Sequence, residues 1–246
     1  MQEAITSFVR WEVNMGYLIF RGVSTQSLEN VYVSVMPSHK KASMRFTEYY
    51  VKGRDGALHV DEGFANFDLN VQLVCVKASV TTRQIVNAWA DGTGKLISSD
   101  DLTKAYKATV KEEVEWTRVA ANGGYYDTAQ IIFNCQPCMY EAVDTVTEFT
   151  EDGAILNPGS ADAFPLIAVE GNGNTTVTIA GSEITIEEMT PGIPVYIDCE
   201  NGYVYTSSGA TEMRGELPYF PVGEQSTILL GEGATKVTIT PHWRWV

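Results

Sequence analysis

A Gly-Arg-Asp-Gly turn lies at the centre of the stretch Val51-Lys52-Gly53-Arg54-Asp55-Gly56-Ala57-Leu58. Glycine adopts positive φ without steric cost, and aspartate tolerates the left-handed region and bonds to its own backbone, so this pattern predicts a tight turn. Apolar residues are frequent before the turn, over residues 46–51, and after it, over residues 64–76. The stretch therefore predicts a hairpin or loop within a β-rich region.

Strand patterns dominate the first half of the chain. Apolar and polar residues alternate from Phe67 to Cys75, which is the period of a β-strand. Residues 106–119 predict one long strand whose pattern breaks near residues 111–113, at Lys-Glu-Glu. The Asn-Gly-Gly sequence at 122–124 predicts a hairpin turn, after which residues 125–135 return beside the long strand.

Residues 80–92 are the one segment with a helical period. Ile85 and Trp89 lie one turn apart, so we expect these two side chains to pack the helix against a sheet. Thr81 or Thr82 is placed to cap the first turn, and the glycine at the end of the segment favours its termination. Because the helix is short, its stability must come from that packing.

The second half of the chain has a different texture. A turn cluster at residues 157–160, Asn-Pro-Gly-Ser, follows an acidic segment and predicts a domain boundary nearby. Short strands separated by glycine turns, with no helical segment, are then typical of a β-sandwich or jelly roll. We predict an N-terminal extension over residues 1–14, one domain over 15–148 and a second domain over 149–246.

Composition limits the possible functions. The chain has 246 residues and a net charge of −14, which argues against wrapping duplex DNA or binding an anionic membrane. DNA passing through a channel is compatible with this charge, because repulsive walls prevent adhesion. No apolar run approaches membrane-spanning length, and residues 1–14 lack the apolar core of a signal peptide, so we expect synthesis in a cytoplasm and no membrane insertion.

Motifs for catalysis, cofactors and metals are weak. The sequence 92–95, Gly-Thr-Gly-Lys, lacks the first glycine and the final hydroxyl residue of a phosphate-binding loop. Cys135 and Cys138 have the spacing of a zinc or redox pair, but no second pair matches them, so ordinary thiols at a strand end are expected. The three histidines are scattered. We predict no enzyme activity, no cofactor, no metal site and no catalytic residue.

Aromatic residues in the second half suggest a binding surface. Trp243 and Trp245 fall on one face of the last predicted strand, and Tyr203 and Tyr205 do the same on another. Exposed aromatic faces of a β-sandwich can stack on sugars, although alternating aromatic residues on a terminal strand are more often core or interface groups. Trp243 and Trp245 are therefore candidate contacts to a glycan or a partner.

Several motifs, taken in order, resemble the distal tail (Dit) proteins of long, non-contractile phage tails. The resemblance extends over nearly the whole chain from Met15 and depends on the order and spacing of motifs that are individually weak. Those motifs are residues 15–22, the Gly53–Gly56 turn, the helix-to-turn segment 85–101, the Phe-Asn-Cys-Gln-Pro sequence at 133–137, residues 197–200, Leu217-Pro218 with Gly223-Glu224, and the closing residues 241–245.

The resemblance implies a fold and a role. It implies a mainly β protein, with an N-terminal β-sandwich related to tail-tube proteins that carries one short helix and a long β-hairpin. It also implies a C-terminal galectin-like β-sandwich that points outward towards adhesion components. The implied assembly is a homohexameric ring at the end of the tail tube. Residues 1–14 precede the usual start of the family, and no inserted carbohydrate-binding module is present, which weakens a direct role in host binding.

The sequence thus predicts a structural protein of a phage tail tip, located in the virion and leaving a channel for DNA in transit. Expected partners are other copies of the chain, the tail tube protein, a tail-associated or hub protein, and a receptor-binding or adhesion protein. Gly53, Arg54, Asp55 and Gly56 are candidate residues of the subunit interface. The alternatives are a carbohydrate-binding module for a host-surface glycan, another ring protein related to tail tubes, and a cell-wall hydrolase.

Overall fold

The computed structural model describes residues 16–38, 40–121 and 124–246. The protein is mainly β, with a single α-helix among these residues, and the predicted β-sandwich class is confirmed. Two compact units divide the chain between Ala142 and Val143. The predicted ranges 15–148 and 149–246 remain predictions, and the observed division lies six residues before the predicted one. The predicted extension, residues 1–14, lies outside the described residues.

The described residues of the first unit form ten strands and the helix. The main sheet has the order β2-β1-β7-β8-β10-β6-β3, with β9 paired to β10, and β4 and β5 form a separate two-stranded sheet. The bounds are β1 Leu18–Phe20, β2 Val23–Ser24, β3 Val31–Val35, β4 Met44–Tyr49, β5 Leu58–Phe64, β6 Phe67–Val76, α1 Val80–Trp89, β7 Gly92–Ser98, β8 Asp101–Val110, β9 Glu115–Ala121 and β10 Gly124–Glu141. A 3₁₀ turn, Thr25–Ser27, precedes β3.

The core of the first unit lies between the sheet and α1. Phe20, Trp89 and Phe133 pack edge to face, with ring centroids 5.0–6.0 Å apart. The Trp89 indole also donates a hydrogen bond to the Val23 carbonyl at 2.9 Å, so this buried ring has no unsatisfied donor. These contacts fix the position of the helix on the sheet.

The helix differs from its prediction in its N-cap and in one of its two packing residues. Ser79 is the N-cap, and it forms a capping box with Thr82, whose hydroxyl accepts a hydrogen bond from the Ser79 backbone N–H. Val86 and Trp89 are the buried residues, whereas Ile85 is 43% exposed, so the prediction that Ile85 packs on the sheet is wrong. Val86, Trp89 and Ala90, which lies just beyond the helix, form the buried stripe. It starts one position later than the sequence pattern suggested.

The long hairpin is formed by β8 and β9 on one side and β10 on the other. The predicted single strand is two strands separated at residues 111–114, and both pair antiparallel with β10. β10 has 18 residues and continues through Pro137, where the predicted domain boundary region begins. A register shift between Cys135 and Met139 accommodates the proline, as expected for a bulge. Residues 122 and 123 of the predicted turn lie outside the described residues.

The second unit is a sandwich of two antiparallel sheets. One sheet has the order β11-β20-β13-β16-β17-β18 and the other the order β12-β19-β14-β15. The bounds are β11 Thr147–Phe149, β12 Gly153–Leu156, β13 Leu166–Gly171, β14 Gly173–Ile179, β15 Ser182–Met189, β16 Val195–Asp198, β17 Tyr203–Thr206, β18 Gly209–Ala210, β19 Gln225–Leu230, β20 Ala234–Thr240 and β21 Arg244–Trp245.

The inward faces of these two sheets form one apolar core. Isoleucines alternate along the facing strands, for example Ile167 on β13, Ile184 on β15 and Ile239 on β20, and all three are fully buried. This period of two is expected where each strand of a sandwich buries one face. The galectin-like assignment within this class remains a prediction. In the described part of the chain, no helix is both long and apolar enough to cross a bilayer.

Candidate assembly surfaces

β4 and β5 form an arm that stands apart from the main sheet. Within the described residues the two strands pair only with each other, and almost every residue in them is exposed. A two-stranded hairpin alone in water is marginally stable, because it has no core to offset the entropy of ordering the chain. The arm (residues 44–64) is therefore a candidate for a surface that another molecule covers.

One face of the arm is apolar. The strand register places Tyr49 opposite Leu58 and Thr47 opposite Val60, so these four side chains share one face. Tyr49, Leu58 and Val60 are between 40% and 55% exposed. Such a row of large apolar groups on a free strand pair is what a partner surface would bury.

The opposite face of the arm is polar and aromatic. Phe46 and His59 stack with ring centroids 4.7 Å apart, and His59 Nε2 lies 3.6 Å from Glu48 Oε1. The Tyr50 hydroxyl donates a hydrogen bond to Glu48 at 2.6 Å, and the neighbouring carboxylate raises the pKa of Tyr50. The two faces of the arm thus differ in chemistry.

The Gly-Arg-Asp-Gly turn is at the tip of the arm. Gly53 and Gly56 have φ values of +84° and +76°, which only glycine adopts at low cost, and the Arg54 N–H donates to the Val51 carbonyl at 3.1 Å. Arg54 and Asp55 both belong to the described part of the chain. Both are exposed, and they form no ion pair with each other. The turn therefore presents both charges outward from a fixed backbone.

The main sheet has two free edges on either side of one four-strand section. β3 pairs only with β6, and β9 pairs only with β10, among the residues that the structure describes. Neighbouring strands across β9-β10-β6-β3 are all antiparallel. Free edges of this kind present unpaired N–H and C=O groups that can accept strands of another molecule.

The outer face of this four-strand section forms an open groove of about 460 Å³. Hydroxyl and amide side chains line most of it, and Glu115 is its single charged lining residue. Ser34 at the β3 edge donates a hydrogen bond to the Gln72 carbonyl at 2.9 Å. The groove is therefore polar but nearly uncharged. The neutral lining residues include Ser34, Gln72, Thr117, Thr128 and Gln130.

A buried carboxylate ties the helix to the long hairpin. Asp127 on β10 is 1% exposed, and it accepts hydrogen bonds from Arg83 of α1 at 2.6 Å and from Arg118 of β9 at 2.9 Å. The hydrogen bond from Arg118, followed by that from Arg83 and the charges of both arginines, lowers the pKa of Asp127 against the opposing effect of burial. We call these three residues the clamp.

Aromatic rings extend the clamp on both sides. Arg83 lies 5.6 Å from the ring of Trp116, and Arg118 lies 6.0 Å from the ring of Tyr125. The Trp116 indole donates to Asn87 on α1 at 3.0 Å. The clamp was not predicted from the sequence. The available signal was Asp127 itself, an acidic residue at a core-facing position of an alternating strand.

The predicted contacts of the second unit lie in different environments. Trp243 is 4% exposed and packs on Phe220, with ring centroids 5.7 Å apart, and Trp245 packs partly buried against the same core. Trp243 therefore offers little surface to a glycan, which agrees with the alternative that it is a core residue. Tyr205 stacks on Tyr196 at 5.3 Å, and both Tyr203 and Tyr205 are exposed.

The four cysteines are buried. Cys135 and Cys138 lie within β10 and not at its end, which corrects the expectation of thiols at a strand end. Burial raises the pKa of Cys135 to about 12, so this thiol is a poor nucleophile and a poor ligand precursor. No group of three or more histidine, cysteine or acidic side chains with metal-binding geometry occurs among the described residues.

Comparison with solved structures identifies proteins of the same fold. The Dit (gp 19.1) protein of SPP1, described as a paradigm of the hub adsorption apparatus in phages infecting Gram-positive hosts, matches with a TM-score of 0.68 and 12% identity. The match covers 95% of this chain and 100% of that protein. At this identity the likeness shows a shared fold. No protein-family profile matches the chain, and no curated protein sequence matches it.

A second similar structure is a chain of the phage P2 baseplate in its activated conformation with Ca. It has 10% identity and a TM-score of 0.48, with 92% of this chain and 98% of that chain covered. That similarity is too low to support an inference.

Proposed function

We propose that the protein is a structural, non-enzymatic component of a phage tail tip, a distal tail protein. Six copies form a ring that joins the tail tube to the adhesion or baseplate components and leaves a channel for DNA. The shared fold with the SPP1 Dit protein supports this role, since it extends over 95% of the chain, and so does the order of the sequence motifs. The ring-forming domain comprises residues 15–148, and residues 149–246 form the galectin-like domain.

The main support for a ring is the pair of free edges, β9 and β3, of the section β9-β10-β6-β3. Because β9-β10-β6-β3 alternates in direction, β3 of one copy and β9 of the next meet antiparallel when copies repeat around an axis. Such head-to-tail pairing uses two different edges and closes into a ring when the rotation between copies is right. Closure removes both free edges, which would otherwise favour aggregation.

The groove supports a channel on the inside of this ring. The core and helix lie on one face of the section, so the grooved face would point to the axis. Its neutral hydroxyl and amide side chains offer DNA no cluster of lysine or arginine to bind. DNA is thus a passing molecule and not a bound partner.

The arm supplies a second contact between copies in this proposal. Gly53 and Gly56 fix the tip, so that Arg54 and Asp55 reach a neighbouring subunit. We expect Arg54→Ala to leave the free energy of unfolding within about 0.5 kcal/mol of wild type, because the side chain is exposed, while ring assembly falls clearly. Asp55→Ala, which removes the other exposed charge of the tip, should have the same two effects. Loss of folding together with assembly, or no change in either, would make the turn local architecture only.

The proposed partners are the tail tube protein, a tail-associated or hub protein, and a receptor-binding or adhesion protein. The protein is made in the host cytoplasm and then resides at the tip of the virion tail, without membrane insertion.

An image of particles that carry a tagged copy of the chain tests the role most simply. Label at the single end of each tail is the expected result. Label along the whole tail would indicate the alternative of a tail-tube ring protein, and label elsewhere would overturn the proposal. A glycan array then separates structural support from host recognition, since glycan binding would favour the carbohydrate-binding alternative.

A further inference from the structure

The loop between β18 and β19 is long and irregular. It comprises residues 211–224, and it contains no helix or strand. Loops of this length without secondary structure are uncommon in compact domains and usually carry a function. Leu217-Pro218 and Gly223-Glu224, two motifs of the sequence analysis, lie in this segment, which we call the presenting loop.

The presenting loop is held rigidly at its C-terminal half. Phe220 is fully buried in the core of the second unit, and its backbone exchanges two hydrogen bonds with Ala163, at 2.9 and 3.0 Å. The buried amide of Asn157 donates to the Phe220 carbonyl at 2.9 Å. A buried ring and three hydrogen bonds fix this part of the loop.

The N-terminal half is held by a second anchor. Arg214 and Thr185 exchange backbone hydrogen bonds at 2.8 and 2.9 Å, which attaches the loop to β15. Gly215 has a φ of +119°, and a Cβ at this position would clash with the Glu183 carbonyl oxygen. Only glycine permits this approach, so the loop lies against β15 at this anchor.

Between and beyond these anchors, apolar side chains point to solvent. Leu217, Tyr219 and Val222 are between 37% and 49% exposed, while Pro218 and Phe220 between them are buried. The centroid of the Tyr219 ring lies 6.4 Å from that of Phe164, and the Arg244 guanidinium lies 4.6 Å from the centroid of the Phe164 ring. The exposed Tyr219 ring thus lies beside a ring of its own unit, which lowers the entropy that it loses when a partner binds.

Charge around the loop is strongly negative. Residues 143–246 include fifteen acidic and three basic residues, a net charge of −12, whereas residues 1–142 include sixteen acidic and fourteen basic residues, a net of −2. Glu212, Glu216 and Glu224 are exposed within the loop. Its one cation, Arg214, is paired with Glu187 at 2.9 Å.

We propose that the presenting loop is the docking surface for a basic protein partner. Leu217, Tyr219 and Val222 form the apolar centre of the contact, and the glutamates form an acidic rim. Interfaces combine an aromatic or aliphatic centre with a polar rim, and complementary charge speeds encounter and excludes wrong partners. Nucleic acid and anionic lipid are repelled by the same rim. The proposal concerns the second unit alone and goes beyond the ring.

Binding of two synthetic peptides to the full chain tests this surface. One peptide repeats Lys-Lys-Leu and the other repeats Glu-Glu-Leu, and fluorescence anisotropy reports binding at low and high salt. The lysine peptide is expected to bind with an affinity that falls as salt rises, and the glutamate peptide is expected not to bind. Tyr219→Ala should weaken the lysine peptide at least tenfold, because a supported tyrosine at the centre of a contact dominates affinity.

Tyr203→Ala is the matched control, since Tyr203 is a 66% exposed tyrosine of the same unit outside the loop. It should leave binding unchanged, and urea unfolding of both variants verifies that the fold persists. Equal weakening by both substitutions, binding of both peptides alike, or no binding of the lysine peptide would each overturn the proposal. None of these measurements tests ring formation, so a failure of the docking proposal is distinct from a failure of the tail-tip role.

Discussion

The first unit contains two hairpins that have similar sequence patterns but different surroundings in the structure. In the long hairpin, β9 and β10 lie against a core, and the clamp joins them to α1 through Asp127. In the arm, β4 and β5 have only each other, and their apolar face is open to solvent. Both are antiparallel strand pairs, and in the sequence a glycine-containing segment connects the strands of each pair.

This difference separates stability from assembly. A residue in the clamp is expected to change the free energy of unfolding, because the buried Asp127 carboxylate accepts hydrogen bonds from both arginines. A residue in the arm is expected to change little in an isolated subunit, because its side chain is exposed and its contacts lie within the arm itself. Substitutions in the two hairpins therefore report on different properties.

The largest effect is expected from Asp127→Ala. Removal of the carboxylate leaves two arginines around a buried site without their shared partner. The substitution removes hydrogen bonds from both arginines. Hydrogen bonds to charged groups contribute about 1.5–3 kcal/mol each, so a loss of about 3 kcal/mol of unfolding free energy is expected. Urea unfolding of the purified chain measures this loss.

Arg118→Ala is the control within the same clamp. Arg118 is half exposed and Arg83 remains to pair with the carboxylate, so a smaller loss is expected. A loss below about 1 kcal/mol for Asp127→Ala would show that the clamp is unimportant for stability.

A smaller loss is expected from Val86→Ala on α1. Val86 is fully buried and its side chain is worth about 2 kcal/mol, from burial and from the cavity left behind. Ile85→Ala at the adjacent, exposed position should cost under about 0.5 kcal/mol. Thermal and urea unfolding of the two variants compare neighbouring residues on one helix. Equal losses would contradict the observed helix orientation.

Acidification should also weaken the clamp. Because the pKa of Asp127 is lowered on folding, its contribution is complete above its ordinary value of 3.8 and is lost as pH falls below that value. Asp127→Asn removes the titration, so its unfolding free energy should fall less than that of wild type between pH 5 and pH 2. The difference between the two acid profiles is the quantity to measure. Parallel profiles would rule out Asp127 as the source.

The smallest effect on folding is expected in the arm. Leu58→Ser with Val60→Ser makes its apolar face polar, and the free energy of unfolding should change by less than about 0.5 kcal/mol. The same protein should lose assembly, which light scattering at high concentration measures. A matched change on the polar face, Phe46→Ser, separates the two faces. A large loss of stability in the serine variant would mean that the arm packs within its own subunit.

Much of the fold follows from local pattern. The alternation in β6, the Asn-Gly-Gly sequence at 122–124 and the short segments between glycine turns of the second unit predicted strands that the structure contains. Each strand buries one face, so the period of two appears directly in the sequence. The helix was also predicted, because its apolar period differs from that of its neighbours.

Tertiary context decided what the pattern could not. Ser79 caps the helix in place of Thr81 or Thr82, since the cap depends on where the preceding chain leaves the sheet. Ile85 is exposed because Val86 lies directly over the core. β10 continues through Pro137 because a bulge removes the need for a ladder hydrogen bond there.

The candidate surfaces show the same limit. The sequence predicted the turn at Gly53–Gly56 from residue types, but the isolation of the arm depends on strands that pair elsewhere. The clamp joins residues 83, 118 and 127, which only the fold brings together. Trp243 was grouped with Trp245 by spacing, and its burial follows from contact with Phe220. Long-range pairing thus determines which of the predicted residues remain available.

Light scattering of the purified chain across a range of concentrations tests the ring most directly. Pairing of β3 with β9 between copies, with the arm as a second contact, predicts a closed particle of about 163 kDa, six copies of the 27.1 kDa chain. The Leu58→Ser, Val60→Ser protein, folded by its urea unfolding curve, is predicted to scatter as a smaller species. A wild-type chain that stays at 27.1 kDa at the highest concentration, in the presence of the tail tube protein as well as alone, would contradict the ring.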